Sequence, residues 1–570
     1  GAGGGARGRA AAAAVEGWAP TAAGAGGWGP RPLLRVTPAE GPGALGGADN
    51  VAWVNYVDAD ETNSGFGRLD VQTWGAPDVS DDVQMYTAGF LEALVTAPRM
   101  EQQFRNLDDW ARKRASGPAY TAARQFLTEQ YAYANVMCEG KGAGSDFWRA
   151  TQLVLRQFDG LVDGYAQARL ANPDLLQLDA EDLLLMNAIG DLLDILPAVS
   201  GGAAGVPAWD DLSPSELTQA LAQAGHCSGL VRVTPGLEDL LFAHSSWFTY
   251  GSMLRIYKHY SFDLAAPAWK GSSTSFSSYP GILSSVDDFY NTKETNLAVV
   301  QTTNSIFNLT LYEQVTHESV LTWQRMRVAN AMASTGKEWF EVFKTENSGT
   351  YNNQYMVVDL SKFEPGAALR DGLLWVVEQI PGLVVGDDRT ATLEMGYWPS
   401  FNVPFFREIY ERSGYSEFKS RHAARGPEYA AAVSGVDYQM APRAKIFRRD
   451  VGNVHDLDSL KYIMRSNGWP QDPYSGGSPM GAICSRGDLD PKKPIAGGCY
   501  DTKVTNFAMA KEMRSEAING PTAQGQPVFR WTNEFAAVSH VGQPQEFDFK
   551  FEEQRPAKRP DLLAGPTAAV

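Results

Sequence analysis

The chain has 570 residues, 44% of them apolar and 11% aromatic, and 66 acidic side chains against 49 basic ones leave a net charge of −17. That much apolar material builds a large core and excludes global disorder. The negative balance argues against nucleic acid or an anionic membrane as the main partner, and no apolar run is long enough to span a bilayer.

Residues 1–49 are rich in Gly, Ala and Pro and read as a disordered segment. Val51–Tyr56 and Phe66–Trp74 follow as strands joined by a polar turn. Residues 83–196 read as mostly helical. Leu155, Phe158, Val162 and Tyr165 form one apolar face, and a leucine-rich helix through Leu183 and Leu193 is expected to end before Pro197. Residues 50–199 thus form an N-terminal fragment, followed by a linker or pro-segment over 200–226 and a core over 227–570. In that core, strands are expected at 227–233, 239–245, 274–279, 297–303, 354–360, 373–380 and 528–531. Helices are expected at 247–259, 317–334, 404–412, 457–466 and 504–516. Strands and helices in separate runs indicate a layered α+β fold.

The junction at Cys227 carries the chemistry. Ser213-Pro214-Ser215-Glu216 is a helix start with a capping box, and the helix stops near Gly225. His226-Cys227 then leads into a strand that turns at Thr234-Pro235-Gly236. A turn centred between Pro235 and Gly236 sets Cys227 directly across from His244, on the same face. Gly225-x-Cys227-x-Gly229 has the strand and helix in the wrong order for a nucleophile elbow, and a papain-type signature is absent. Two readings stay open: a small buried cysteine without chemistry, and an N-terminal nucleophile exposed by a cut between His226 and Cys227. A core histidine at His244, core packing at Trp247 and a scaffold ion pair at Arg443 are the corresponding bland alternatives.

Other scans are negative. There is no H-E-x-x-H, no paired C-x-x-C and no Walker loop, and no two of the seven histidines have metal-ligand spacing, so neither a metal nor a cofactor is expected. Asp58-x-Asp60 starts like a calcium loop but has Asn63 where glycine is needed and Leu69 where glutamate is needed. Cys484 and Cys499 flank a Gly/Pro/Asp loop that a disulfide could close, and Asn308-Leu309-Thr310 is an N-glycosylation acceptor. Both lean toward the secretory pathway, with any signal peptide outside this sequence.

Several segments together resemble the phospholipase B-like proteins of lysosomes. They include GHCSGL at 225–230, LLFAHSSWFTYGSMLRIYKHY at 240–260, DDFY at 287–290, NSGTYNNQYMVVDL at 347–360, YWPSFNVPF at 397–405, APRAKIFRRD at 441–450 and GGCYDTKVT at 497–505. Ala243–Trp247 and the Asn308 acceptor resemble the first of the two vertebrate paralogues more closely. The resemblance spans about residues 50–555. It implies an N-terminal nucleophile hydrolase fold, a four-layer αββα sandwich activated by self-cleavage. On the family pattern Cys227 is the nucleophile and His244 an active-site residue. Trp247 takes a further active-site position, Thr303 and Asn402 line the site beside the scissile carbonyl, Arg443 supports it, and Cys484 pairs with Cys499. From its own chemistry the Asn402 amide reads as an oxyanion donor, with Trp247 and Thr303 shaping the pocket. A protonated His244 would add positive charge beside a thiolate–ammonium pair. The segment 415–437 looks longer and richer in alanine than the family pattern, and Cys138 has no family partner.

The implied activity is acyl-ester hydrolysis of glycerophospholipids in the lysosome lumen. An amidase or peptidase acting on N-acyl amides, and a lipid-binding protein without turnover, are the alternatives. The two fragments are expected to stay associated, and the resemblance leaves a homodimer open.

Overall fold

The computed structural model describes residues 52–75, 79–115, 117–225 and 227–557. The N-terminal segment over 1–49 and the cleavage residue His226 lie outside them.

Ahead of Cys227 the chain forms β1 (Ala52–Val57), β2 (Phe66–Thr73) and six helices: α1 (Asp81–Arg114), α2 (Pro118–Lys141), α3 (Asp146–Ala171), α4 (Ala180–Asn187), α5 (Leu192–Val199) and α6 (Pro214–Ala224). The leucine-rich stretch is therefore two helices. The break falls at 188–191, where Gly190 lies so close to the Tyr351 ring that a β-carbon would be 2.9 Å from it. Pro197 does not stop α5 but sits in its last turns, where Ser200 Oγ donates to the Leu196 carbonyl. Helices α1 and α3 touch backbone to backbone. A β-carbon on Gly160 would fall 1.8 Å from the Tyr86 carbonyl oxygen.

After Cys227 come β3 (Ser228–Val233), β4 (Leu240–Thr249), β5 (Arg255–Phe262), β6 (Ser273–Ser278), β7 (Phe289–Thr292), β8 (Leu297–Thr303), α7 (Thr322–Met332) and α8 (Gly336–Phe343). Next are β9 (Asn353–Asp359), β10 (Leu374–Ile380), β11 (Leu383–Asp388), α9 (Thr390–Leu393) and β12 (Tyr397–Ser400). Five helices follow: α10 (Arg407–Arg412), α11 (Tyr415–Ala423), α12 (Pro427–Ala432), α13 (Pro442–Asp450) and α14 (Leu457–Met464). The described chain closes with β13 (Gly497–Asn506), α15 (Phe507–Lys511), β14 (Ser515–Asn519) and β15 (Glu552–Gln554).

The strands form two sheets, giving a mixed α+β fold. Nine run in the order β1-β2-β5-β6-β7-β8-β9-β10-β11 and six in the order β12-β3-β4-β13-β14-β15. Period-2 alternation divides each strand of the smaller sheet. Leu230, Leu241, Ala243 and Val504 pack with Phe418, Phe447 and Leu460 of α11, α13 and α14. Val231, Val233, Leu240 and Phe242 belong to the other cluster, which contains Phe289 and Val299 of the larger sheet. Phe242 and Phe289 meet with ring centroids 6.1 Å apart.

Three expectations fail here. Residues 247–259 are no helix but the end of β4, a short turn and the start of β5. Aromatic and β-branched residues there pair with β2 on one side and β6 on the other, and ladder pairing overrides local helical preference. The 504–516 helix shrinks to α15 between β13 and β14. Residues 528–531 form no strand, only an isolated bridge from Arg530 to Glu546.

The two stretches either side of Cys227 are interwoven. Strand β2 pairs in parallel with β5 from Phe66–Arg255 to Thr73–Phe262. Glu92 of α1 meets Lys258 of β5 at 2.6 Å, with both side chains fully buried.

Candidate active site

Cys227 stands at the head of β3, buried, with a backbone φ of 82°. That left-handed conformation is uncommon for a residue with a β-carbon. The other positive-φ, non-glycine positions include Val286, Tyr351 and Asn402. Val286 and Tyr351 share a cavity with Cys227, so backbone strain gathers around this residue.

The register at Cys227 differs from the expectation. Gly229, not Cys227, faces His244, and Ser228 faces Ser245. The turn is longer than two residues: Pro235–Leu237 form a 3-10 turn with Gly236 at φ 74°, which moves the pairing by two. A shift of two keeps the facing side. His244 and Cys227 therefore both point between the sheets, with Ser246 at the level of Cys227.

His244 is consequently not the partner of the thiol. Its Nδ1 lies 3.0 Å from Lys503 Nζ and 3.4 Å from Ser246 Oγ. Burial, then the ammonium of Lys503, push the imidazole well below its ordinary range. That direction disfavours the charged imidazole beside Lys503.

Lys503 is the hub of a buried charge cluster that sequence reasoning missed. Its Nζ donates to Asp287 Oδ2 at 2.9 Å, to Asp501 Oδ1 at 2.7 Å and to Ser246 Oγ at 2.5 Å. Arg255 NH2 adds a 2.7 Å bond to Asp287 Oδ2. Burial raises the Asp287 carboxyl, but Arg255 and Lys503 outweigh it and hold the group well below the ordinary carboxylate range. His244, Asp287 and Asp501 bring ligand atoms within 4.8 Å of one another, but the Lys503 ammonium already supplies the cation among them. The available signal was charged residues at inward positions of two strand segments, DDFY and GGCYDTKVT.

Arg443, at the start of α13, organises the other side. It donates to the Cys227 carbonyl, and its NH2 donates to Asn402 Oδ1 at 2.6 Å. Its guanidinium stacks over Trp247 at 4.2 Å. Burial lowers it to about 9, still cationic at acidic and neutral pH. Because arginine only donates, Asn402 must present its oxygen there and aim Nδ2 the other way. That Nδ2 donates to the Thr303 carbonyl at 2.6 Å. Thr303, at the end of β8, lines the same cavity as Cys227 and Trp247.

The predicted residues thus fall into two groups. Cys227, Asn402, Arg443, Trp247 and Thr303 come together, and His244 sits in the adjoining charge cluster. Burial pushes the Cys227 thiol far up; the Trp247 backbone amide opposes this and Asp287 reinforces it. The cavity the thiol lines has a volume of about 30 Å³, room for one or two waters. Beyond Trp247 lies a second cavity of about 650 Å³.

Cys484 and Cys499 form a disulfide with Cα atoms 5.0 Å apart, beneath Trp247. Cys138 and Cys227 are free. Asn308 caps a 3-10 turn, with its Oδ1 accepting from Thr310 Oγ1 at 2.8 Å and its Nδ2 donating to the Arg412 carbonyl at 3.2 Å. No helix among the described residues is long and apolar enough to cross a membrane.

The family model for phospholipase B matches residues 52–554. A "Phospholipase B" of Crotalus adamanteus is 42% identical over 89% of this chain and 88% of its own length. The "Phospholipase B-like 1" proteins of Bos taurus and Homo sapiens are each 43% identical, over 86% and 88% of this chain and 86% of their own length. A match of this extent, running through β1 to β15 and every residue of the Cys227 site, places the chain in the phospholipase B family.

Proposed function

We propose that this chain is a lipid acyl-ester hydrolase of the N-terminal nucleophile type, with an αββα arrangement, activated by a cut before Cys227. The carrying observation is the clamp at Cys227. A thiol heads a strand at a strained φ, its own carbonyl is held by Arg443, and Arg443 also orients Asn402. The angle φ is defined across the preceding carbonyl. Breaking the bond before Cys227 therefore releases strain of about 1–3 kcal/mol, and it frees an α-amine to take the thiol proton. The small cavity at the thiol supports reading the uncut chain as a precursor, because no acyl ester fits in it.

In the matured form the α-amine takes the thiol proton, and Cys227 attacks the substrate carbonyl with the second N–H of Asn402 Nδ2 on the oxyanion. The ester C–O bond breaks as the ammonium returns the proton to the leaving alcohol. Arg443 holds Asn402, Trp247 and Thr303 shape the pocket, and water releases the acyl group. His244 acts through the neighbouring charge cluster and not as a base on the thiol. The parallel pairing of β2 with β5 and the Glu92–Lys258 ion pair keep the fragments together. A disulfide fits an oxidising compartment, and a lysosomal lumen with a glycan on Asn308 is consistent with this reading. The large apolar cavity also favours a second reading, lipid binding without turnover.

The experiment is fragment mapping followed by kinetics. Purified protein should contain a fragment beginning Cys227-Ser228-Gly229-Leu230, and Cys227→Ala should stay uncut. Cleavage of Cys227→Ala at the same bond without added protease would refute self-processing. In matured protein Asn402→Ala should lower turnover by about 10²–10³. Retained lipid binding with no hydrolysis of phospholipid esters or N-acyl amides would favour the binding reading.

A further inference from the structure

The cavity of about 650 Å³ has one polar end. Trp247, Asn402 and Arg443 line it there, beside the Cys227 carbonyl. Trp247 also lines the small cavity at the thiol, so a single ring stands between the nucleophile and the larger space. From that end one side of the wall is apolar, with Phe307, Phe401 and Tyr415, then the buried Ala432 of α12 with the exposed Ala431 at the rim, and Val436, while Thr218, Glu428 and Ser478 also line the cavity.

These rings are fixed in place. Phe307 stacks on Phe418 at 4.0 Å and meets Tyr415 edge-on at 4.8 Å. The Tyr415 hydroxyl is occupied, donating to the Asn402 carbonyl at 3.1 Å and accepting from the Ser305 amide at 2.9 Å. Helix α12 is anchored from outside by Tyr429, whose hydroxyl donates to the Leu212 carbonyl at 3.2 Å. The apolar wall residues just named lie C-terminal to Cys227, whereas the α12 anchor at Leu212 and the lining residues Thr218 and Leu221 lie before it.

We propose that this cavity is the acyl-chain site, entered from Asn402 and Arg443, and that the alanines of α12 set the length of chain it accepts. The proposal rests on the reading of Cys227 as nucleophile. Wall chemistry selects the ligand. Between Phe401 and the buried Ala432 a peptide would find few partners for its own N–H and C=O groups, which is unfavourable in an apolar space. A hydrocarbon chain has no such groups. The volume lies in the range of small-ligand pockets, about 300–1,000 Å³. Alanine is the smallest side chain a helix can present without glycine's entropy cost, so α12 leaves room that any larger residue would fill.

The test uses full-length matured protein and lysophosphatidylcholine esters from hexanoyl to palmitoyl. For the wild type, kcat/KM should rise about fourfold per added methylene until the cavity is full. Ala431→Phe should end that rise several carbons earlier while changing hexanoyl turnover less than twofold. Ala430→Phe, on the same helix and exposed like Ala431 but not lining the cavity, should behave as wild type. Displacement of a long-chain fluorescent fatty acid from uncut Cys227→Ala protein is the readout independent of turnover, and Ala431→Phe should weaken binding there about tenfold. Identical chain-length profiles for Ala431→Phe and Ala430→Phe, or a wild-type profile flat with chain length, would overturn the acyl-chain site. Correctly cut wild type that hydrolyses no ester, yet binds the fatty acid with the expected Ala431→Phe loss, would refute the nucleophile and leave the acyl-chain site standing.

Discussion

Asp194 on α5 is a buried carboxyl from the N-terminal stretch that bonds to the core on the far side of Cys227. It accepts from the Tyr312 hydroxyl at 3.0 Å and from the Asn352 amide at 3.4 Å. Burial raises it from the ordinary 3.8 to about 7, against the opposing effect of those hydrogen bonds. The folded state therefore prefers the protonated acid. Stability is fully present below 3.8 and falls as pH rises to about 7, beyond which the loss is constant. From about pH 4.5 to about pH 7.5 the linkage relation makes that loss about 3 kcal/mol, on the order of magnitude such shifts support. Asn reproduces the uncharged side chain at every pH, so Asp194→Asn should remove this component. His244 and His259 are pushed down by burial and act with the opposite sign, so the variant must be compared with wild type at both pH values. Denaturant unfolding at about pH 4.5 and pH 7.5 should show Asp194→Asn gaining about 3 kcal/mol on wild type at the higher pH relative to the lower. Parallel pH dependence in the two proteins would refute the reasoning.

Asp191, raised to about 6 by burial, should behave alike on Asp191→Asn, with a gain of about 2 kcal/mol over the same interval. Glu92→Gln should cost about 3–5 kcal/mol by leaving the buried Lys258 ammonium without its anion, read as a lower unfolding midpoint. Replacing both Cys484 and Cys499 by serine should cost about 3 kcal/mol in the chain-entropy model, given their separation of 15 residues; an unchanged midpoint under non-reducing conditions would contradict it. Gly160→Ala should cost at least about 1–3 kcal/mol through overpacking of α1 against α3, checked by thermal unfolding.

Local features were legible in the sequence because their causes are local. The capping box at Ser213 and Glu216 forms as read, and β8 occupies 297–303 as expected. Cys484 and Cys499 are bridged, as the family resemblance implied. The location of Cys227 at a helix-to-strand junction followed from turn and cap chemistry alone. Segments whose partners lie far along the chain were misread. Residues 255–259 carry only a weak local strand signal in Ile256 and Tyr257, and their place is settled by pairing with β2, nearly 190 positions earlier. The register opposite Cys227 depended on a connection two residues longer than the Pro-Gly signal announced. Lys503 and His244 are 259 positions apart, and the low pKa of the imidazole depends on both being buried together between the sheets. Residue chemistry and periodicity were thus determined by the sequence itself. Register, the charge state of His244 and the cavity under α12 were decided only when long-range packing removed water and chose the neighbours.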